Sequence, residues 1–343
     1  NSNFITIHSA ESEILKAEKN SKLEKGLVRE FIDINEVNEK LKYNDVKVML
    51  DAESLYRGQL FRLAQKVLKI KAKQKVVLLA GPSCAGKTTS AHLLKEIFEN
   101  RRKKAIIVSM DDFFVNREET PLLPNGMKDF DGLGAVNLEQ MDRCFSELFK
   151  EGKADFPRFD FISGLNLENE YHLKYDKDTI IIFEGLHVLN PELIKHLGGA
   201  NCYKVYVSTL KGFKLSEFSK IGTRQLRLIR RMIRDVRRRG KSPEFTMDTW
   251  KNVCDSEDTY ISPYKNDADF YINTTHEFEL ALYKNEFFEI VMKHRQVTNQ
   301  LNFLPIFEES VSLDKRLLPE TSLMWEFINK PGEEVKKKKK KPN

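Results

Sequence analysis

The sequence predicts an α/β protein, a three-layer α/β/α sandwich around a mostly parallel sheet, with a helical N-terminal extension and a C-terminal tail. Three observations carry this. Short apolar, β-branched runs alternate with longer stretches of helical apolar spacing, the pattern of crossover units that bury both faces of a parallel sheet. The first such run, Val76-Val77-Leu78-Leu79-Ala80, leads through a glycine loop straight into a helical pattern. The residues able to do chemistry come directly after the ends of these runs, and in open parallel sheets ligands bind at the carboxyl ends of strands.

Taken in order, residues 1 to about 70 read as helical and charged, with breaks at Gly26 and at Asn44-Asp45. Leu55, Leu60, Phe61, Leu63, Ala64, Val67 and Leu68 recur at helical spacing and give this extension an apolar face to pack on the neighbouring domain. Lys75 to Ala80 is the first strand, Thr88 to Asn100 a helix with Ala91, Leu94, Ile97 and Phe98 inward, and Ala105 to Ser109 the second strand. Prolines and glycines make 115 to 137 a loop, and Leu138 to Lys150 is helical again. Phe156 to Gly164 reads as aromatic and irregular, and Leu165 to Lys177 as a surface hairpin. Thr179 to Gly185 is a buried strand ending in an acid, Cys202 to Ser208 another, and Asp269 to Asn273 the last of the sheet. Arg224 to Arg239 and Phe278 to Val291 are helices, and a final apolar segment lies around Leu323 to Ile328.

Composition narrows the class. With 343 residues, 41% hydrophobic and 31% charged, the chain suits one large or two modest folded units. It has no apolar run of the roughly 18 residues needed for a membrane helix. The first residue is Asn and no basic segment leads into an apolar one, so no signal peptide is expected and the chain reads as a fragment or a processed form. The four cysteines are far apart without a C-x-x-C pair, which argues against a zinc or disulfide framework and for a reducing, cytoplasmic compartment. The net charge of +6 is uneven. The lysine run at Lys336 to Lys341 reads as a solvated, disordered end.

The loop from Gly81 to Thr88 (Gly-Pro-Ser-Cys-Ala-Gly-Lys-Thr) fits G-x-x-x-x-G-K-[ST], the phosphate-binding P-loop. Its glycines let successive N–H groups of Ser83, Cys84, Ala85 and Gly86 turn inward around phosphate oxygens, and the next helix adds its positive end. Lys87 reaches for the β- and γ-phosphates, the Thr88 hydroxyl for Mg²⁺, and Thr89 completes the motif's helical start. The expected cofactors are ATP or GTP with Mg²⁺. Cys84 is a small residue that fits the loop.

Phosphoryl transfer also needs a metal site, a base and positive charge. Glu184, at the end of an apolar strand, is placed as a second metal-binding acid; its bland alternative is a strand-end salt bridge. Asp111 is placed to take a proton from an acceptor hydroxyl, with Asp112 as its rival and helix capping as the alternative for both. Arg227, Arg230 or Arg231, Arg234 and Arg238 recur at steps of three and four and so share one helix face. Such a stripe suits the charge of a transferred phosphoryl group. The competing readings are a solvated ion-pair face and an RNA-binding helix, though the aromatics that single-strand binders interleave are absent.

These residues resemble the uridine kinase branch of the P-loop kinases, which also contains phosphoribulokinase and type I pantothenate kinase. The likeness rests on the loop, Ser109-Met-Asp-Asp-Phe-Phe114, Asp129-Phe-Asp131, Pro157-Arg-Phe-Asp-Phe161, Ile182-Phe-Glu-Gly185 and Arg230-Arg-Met-Ile-Arg-Asp235 followed by Arg239-Gly240. They occur in family order between about Lys75 and Leu282. The resemblance is nearest to long nucleoside kinases that carry threonyl-tRNA-synthetase-like modules before the kinase. Residues 27 to 70 look like the end of that region, and Leu318-Pro-Glu-Thr-Ser-Leu-Met-Trp-Glu-Phe327 looks like their C-terminal close.

The resemblance implies a kinase that phosphorylates a nucleoside, uridine or cytidine foremost, at its 5′-hydroxyl. It implies Asp111 as the base, Asp131 and Arg231 on the ribose hydroxyls, Arg234 and Arg239 on the phosphates with Lys241 beside them, and Thr88 and Glu184 on Mg²⁺. Phe159 and Phe161 fall where the family packs on the base. Two positions depart: a base-reading His of pyrimidine-specific relatives is Gly164 here, and their tyrosine is Phe159. The expected division is an extension over 1–70, a P-loop kinase domain over 71–295, a C-terminal extension packing on it over 296–330, and a lysine-rich tail over 331–343. The expected partners are a small hydroxyl substrate and a second copy of the chain, with no membrane and no nucleic acid. The alternatives are a kinase of another small alcohol, such as a sugar phosphate or a pantothenate-like acceptor, and a non-catalytic nucleotide- or RNA-binding regulator.

Overall fold

A computed structural model of the chain describes residues 30–123 and 126–333. Its strands are β1 (Glu30–Asp33), β2 (Lys75–Ala80), β3 (Lys104–Ser109), β4 (Lys153–Asp160), β5 (Leu165–Lys174), β6 (Thr179–Gly185), β7 (Asn201–Ser208), β8 (Lys211–Lys214), β9 (Lys220–Ile221) and β10 (Phe270–Asn273). Its longer helices are α1 (Ile34–Lys69), α2 (Lys87–Glu99), α3 (Leu138–Glu151), α4 (Thr223–Arg238), α5 (Pro243–Ser256) and α6 (Glu279–Val291).

The central sheet has the order β10-β7-β2-β6-β3, and every pairing in it is parallel. β2 sits in the middle because it is apolar on both faces. Val77 and Leu79 point into one core, and Val76, Leu78 and Ala80 into the other, as the two-residue period of a strand requires. The first core is covered by α1, α2, α4, α6 and the segment 303–328, and the second by α3, Phe113 and Phe156. Helices on both faces make the three layers of an α/β/α sandwich.

The periphery corrects several expectations. Residues 30–33 are not helical. They form β1, which pairs in parallel with β8, while β9 closes that small sheet antiparallel. A four-residue strand has too short a pattern for its period to be seen against a helix. The expected break at Asn44-Asp45 is present: Asn44, with φ −160° and ψ 87°, leaves the helical region, and its side chain accepts from Lys47 N–H at 2.9 Å to start the second part of α1. Phe156 to Asp160 is not irregular: it belongs to β4, and the hairpin lies between β4 and β5. Gly26, residues 1–29 and the lysine run lie outside the described residues. None of the described helices is long and apolar enough to cross a membrane, and the four cysteines are free thiols.

α1 contributes Tyr56, Leu60, Leu63, Ala64 and Val67 to the same core as the sheet strands. Leu60→Ala, at a fully buried position, should therefore cost about 2–5 kcal/mol in urea unfolding of the whole chain. A loss below about 1 kcal/mol, the size of an ordinary surface change, would mean that α1 is not part of the folding unit.

Candidate active site

The carboxyl ends of β2, β3 and β6 open into one cavity of about 620 Å³, within the usual range for small-molecule sites. The phosphate loop forms one wall. Cys84 (φ +60°) and Gly86 (φ +87°) both turn left-handed, which aims successive N–H groups into the same concavity. Ser83, Cys84, Ala85, Gly86, Lys87 and Thr88 all line it. Lys87 Nζ donates to the Pro82 carbonyl at 3.2 Å, curling its ammonium over the loop. Two expected loop residues do not reach the cavity. Gly81 is the close-packing position behind it, where a Cβ would strike the Val207 carbonyl oxygen. Thr89 turns its hydroxyl away and donates to Glu326 Oε2 at 2.7 Å.

Asp111 and Asp112 lie on a single 3₁₀ turn, Met110–Phe113, capped by the Ser109 hydroxyl, which accepts from Asp111 N–H at 3.3 Å. The turn separates them. Asp111 lies deep in the cavity wall, whereas the carboxylate of Asp112 accepts the Tyr171 hydroxyl at 3.0 Å, away from the cavity. Burial pushes the Asp111 carboxyl above the ordinary aspartate range, Lys87 draws it back down, and Asp112 and Asp131 raise it again. Glu184, at the end of β6, accepts from the Ser109 hydroxyl at 3.3 Å. Burial pushes it up to about 7, again against the pull of Lys87.

The arginine helix α4 divides in a way that spacing did not reveal. Arg230 lies fully buried beneath the loop and makes five hydrogen bonds: two to the Glu279 carboxylate, two to the Thr274 hydroxyl and carbonyl, and one to the Cys84 carbonyl at 3.2 Å. Arg227 bonds Glu257 at 2.5 Å and the Ser83 carbonyl at 3.2 Å. Arg238 holds the Trp325 and Ile328 carbonyls. These three are structural, so the expected single stripe over the phosphates is corrected. Arg231, Arg234 and Arg239 line the cavity. Arg231 Nη1 donates to the Ser83 hydroxyl at 3.1 Å, and Arg231, Arg234 and Arg239 share the Asp235 carboxylate at 3.4, 3.5 and 3.7 Å. Lys241 lies outside the cavity lining, with its ammonium 4.7 Å from the Phe245 ring centre.

The opposite wall holds Asp131, Asp129 and Phe161. Phe159 is withdrawn from it: its ring is 7% exposed and packs edge-on behind Phe161, with centroids 5.1 Å apart, and against Phe114 at 5.6 Å. Gly164 is the left-handed residue (φ +76°) of the β4–β5 turn, and a Cβ there would meet Arg117 side-chain atoms at 2.8 Å. A side chain at 164 would be strained by the left-handed backbone and would crowd Arg117. Sequence reasoning missed three residues. His187 is buried in the cavity wall with its ring edge-on to Tyr260, and its Nδ1 has no partner. Tyr260 donates its hydroxyl to Asp129 at 3.3 Å. Glu326 arrives from 237 residues beyond Thr89. His187 could have been flagged by its place just after Glu184, but nothing local marks Glu326.

The residues fit a nucleoside triphosphate with Mg²⁺. The left-handed loop and the guanidinium groups of Arg231, Arg234 and Arg239 supply anion donors. Thr88, Glu184 and Asp111 supply oxygen around the same cavity. Among the described residues no three His, Cys, Asp or Glu side chains form a metal site by themselves. Mg²⁺ at phosphate-transfer sites takes only one or two carboxylates and shares the substrate's phosphates.

Fold and site together define a phosphotransferase of the P-loop class that acts on an alcohol acceptor. The model of the Phosphoribulokinase / Uridine kinase family matches residues 76–281, more than half of the chain, and the chain belongs to that family. It is 24% identical over 210 residues to a uridine kinase of Ureaplasma urealyticum, covering 61% of this chain and 92% of that one. It is 26% identical over 211 residues to a uridine kinase of Lactobacillus helveticus, covering 61% and 91%. Among solved structures, a possible uridine kinase from Bacillus stearothermophilus aligns at a TM-score of 0.45 and 17% identity, covering 63% of this chain and 98% of that one.

Glu279→Gln removes the charge that the buried Arg230 is paired with. It should destabilise the chain by about 3–5 kcal/mol in chemical unfolding. An unchanged midpoint would show that water reaches Arg230.

Proposed function

We propose that the protein transfers the γ-phosphoryl group of ATP or GTP to the 5′-hydroxyl of a nucleoside, uridine or cytidine foremost. The observation that carries this is the position of Asp111, deep in a wall shared by Lys87 of the phosphate loop and Asp131 of the opposite side, each of which shifts its titration. From there its carboxylate takes the proton of the attacking hydroxyl. Lys87, Arg234 and Arg239 hold the charge on the group in flight. Asp131 and Arg231 hold the ribose hydroxyls, and Phe161, backed by Phe159, packs on the base. Thr88 and Glu184 would hold Mg²⁺, which when bound neutralises charge between the β- and γ-phosphates.

The charge of the acceptor wall supports a neutral acceptor over a sugar phosphate or a carboxylate. Asp129 and Asp131 face it, and Lys128 there donates its ammonium to the Glu118 carbonyl at 2.8 Å. Acidic groups repel an anionic substrate and accept hydrogen bonds from hydroxyls. Because Phe159 and Gly164 offer the base no polar side chain, discrimination among bases is expected to be modest.

An acceptor panel with Mg-ATP tests the reading. A nucleoside should give the highest kcat/KM. A non-nucleoside alcohol beating all of them replaces the substrate assignment, and no ADP release above the acceptor-free control leaves a nucleotide-binding regulator. Asp111→Asn should lower kcat by about 10²- to 10⁴-fold while nucleotide still binds. Lys87→Ala should damage both binding and turnover.

Burial raises the pKa of both Asp111 and Glu184, so each holds its proton to higher pH than an ordinary carboxyl. Both act deprotonated, and activity is lost as pH falls through their raised values. The acid limb of kcat/KM should therefore lie above the ordinary carboxylate range of about 4. A profile flat down to pH 4 would remove both from the reaction.

A further inference from the structure

The segment that closes the chain's described residues does more than cap the core. Residues 322–328 lie outside the family-matched 76–281, yet they press directly on the phosphate loop. Leu323 packs on Gly86 so tightly that a Cβ there would come within 2.7 Å of its methyl group. Glu326 reaches the cavity and accepts the Thr89 hydroxyl at 2.7 Å. Its neighbours are fixed on every side. The Ser322 hydroxyl is bonded to Glu53 of α1, and Tyr283 donates to the sulfur of Met324 at 3.2 Å. Arg238 holds the carbonyls of Trp325 at 2.5 Å and Ile328 at 2.9 Å, and the buried Arg230 guanidinium lies 4.7 Å from the Phe327 ring.

This anchoring leaves Glu326 little freedom, and its carboxylate is spent on a residue in the first turn of α2. That turn presents the N–H groups and the Thr88 hydroxyl to a phosphate. We propose that Glu326 is a positioning residue for the nucleotide donor: through Thr89 it fixes the first turn of α2, so that the C-terminal segment is a working part of the phosphate site. The inference rests on the nucleotide-donor reading above and adds a residue to it. It also explains why an acid is tolerated beside an anion site. The Thr89 hydroxyl donates to it, and the positive end of α2 with the guanidinium groups of Arg230 and Arg234 opposes its charge.

The test compares the wild-type chain, Glu326→Ala, Glu326→Gln and Thr89→Val. Mg-ADP affinity is read by calorimetry, and the KM values for nucleotide and acceptor are read separately. Glu326→Ala should weaken Mg-ADP binding and raise the nucleotide KM by about tenfold, the scale of one hydrogen bond to a charged group. The acceptor KM should stay within about twofold. Glu326→Gln, which keeps an acceptor oxygen, should recover most of the loss. Thr89→Val should reproduce it, and the double variant Thr89→Val/Glu326→Ala should lose no more than either single one. A general structural role predicts something else: both KM values moving together with a fall in Tm, and no recovery by Gln. That result overturns the proposal, as does Mg-ADP binding in Glu326→Ala that is unchanged or tighter. Wild type that binds no nucleotide overturns the donor reading itself, whereas wild type that binds and Glu326→Ala that binds equally well overturns this inference alone.

Discussion

The guanidinium of Arg230 is the joint on which the site depends. A guanidinium carries five N–H donors, and here all five are used inside the protein, on Glu279, Thr274 and Cys84. In one residue the helix α4, the start of α6, the turn after β10 and the phosphate loop are tied together, with the Phe327 ring laid against the same group. A buried charge is tolerated only when its partners are complete. The loop conformation is therefore coupled to the seating of elements far away in sequence. Thr274 extends the tie by donating its hydroxyl to the Ala85 carbonyl at 2.8 Å, so the carbonyls behind the loop are engaged and its N–H groups are left facing the cavity.

Around this joint the charges are sorted by depth. Arg227 and Arg230 are under the loop and neutralised by Glu257 and Glu279. Arg231, Arg234 and Arg239 are above it, lining the cavity and sharing the single carboxylate of Asp235. The acids Asp111 and Glu184 sit at the boundary between the two halves, where burial lifts their pKa values and Lys87 restrains them. The same local density of charge that makes the site reactive would be costly without the ligand's phosphates. Perturbed titration at such a place marks function more often than stability.

Much of this is legible from the residues because it is local. The P-loop is a contiguous motif, so its strand, turn and helix can be read from spacing, and strand ends put Asp111 and Glu184 at the cavity. The resemblance to a kinase family supplied Asp131, Arg231, Arg234 and Arg239, and all four line it. The features that spacing misplaces depend on partners in three dimensions. Helical periodicity groups Arg227, Arg230, Arg234 and Arg238 on one face but cannot say which carboxylates wait beneath it. Phe159 lies in β4 and Phe161 in the turn just past its end, so one is buried behind the other and only Phe161 lines the cavity. Gly164 looks like a missing recognition group and is a turn requirement.

The sequence by itself determined the fold class, the phosphate loop and the acids at the strand ends, because each is written in a few consecutive residues under short-range constraints of sterics and period. Only the tertiary structure decided which arginines line the cavity, which of Asp111 and Asp112 faces it, and that a glutamate from the C-terminal segment bonds the first turn of α2. Those outcomes are set by desolvation and pairing between residues as much as 237 positions apart. The favourable geometry of such a pair exists only once the intervening chain has folded around it.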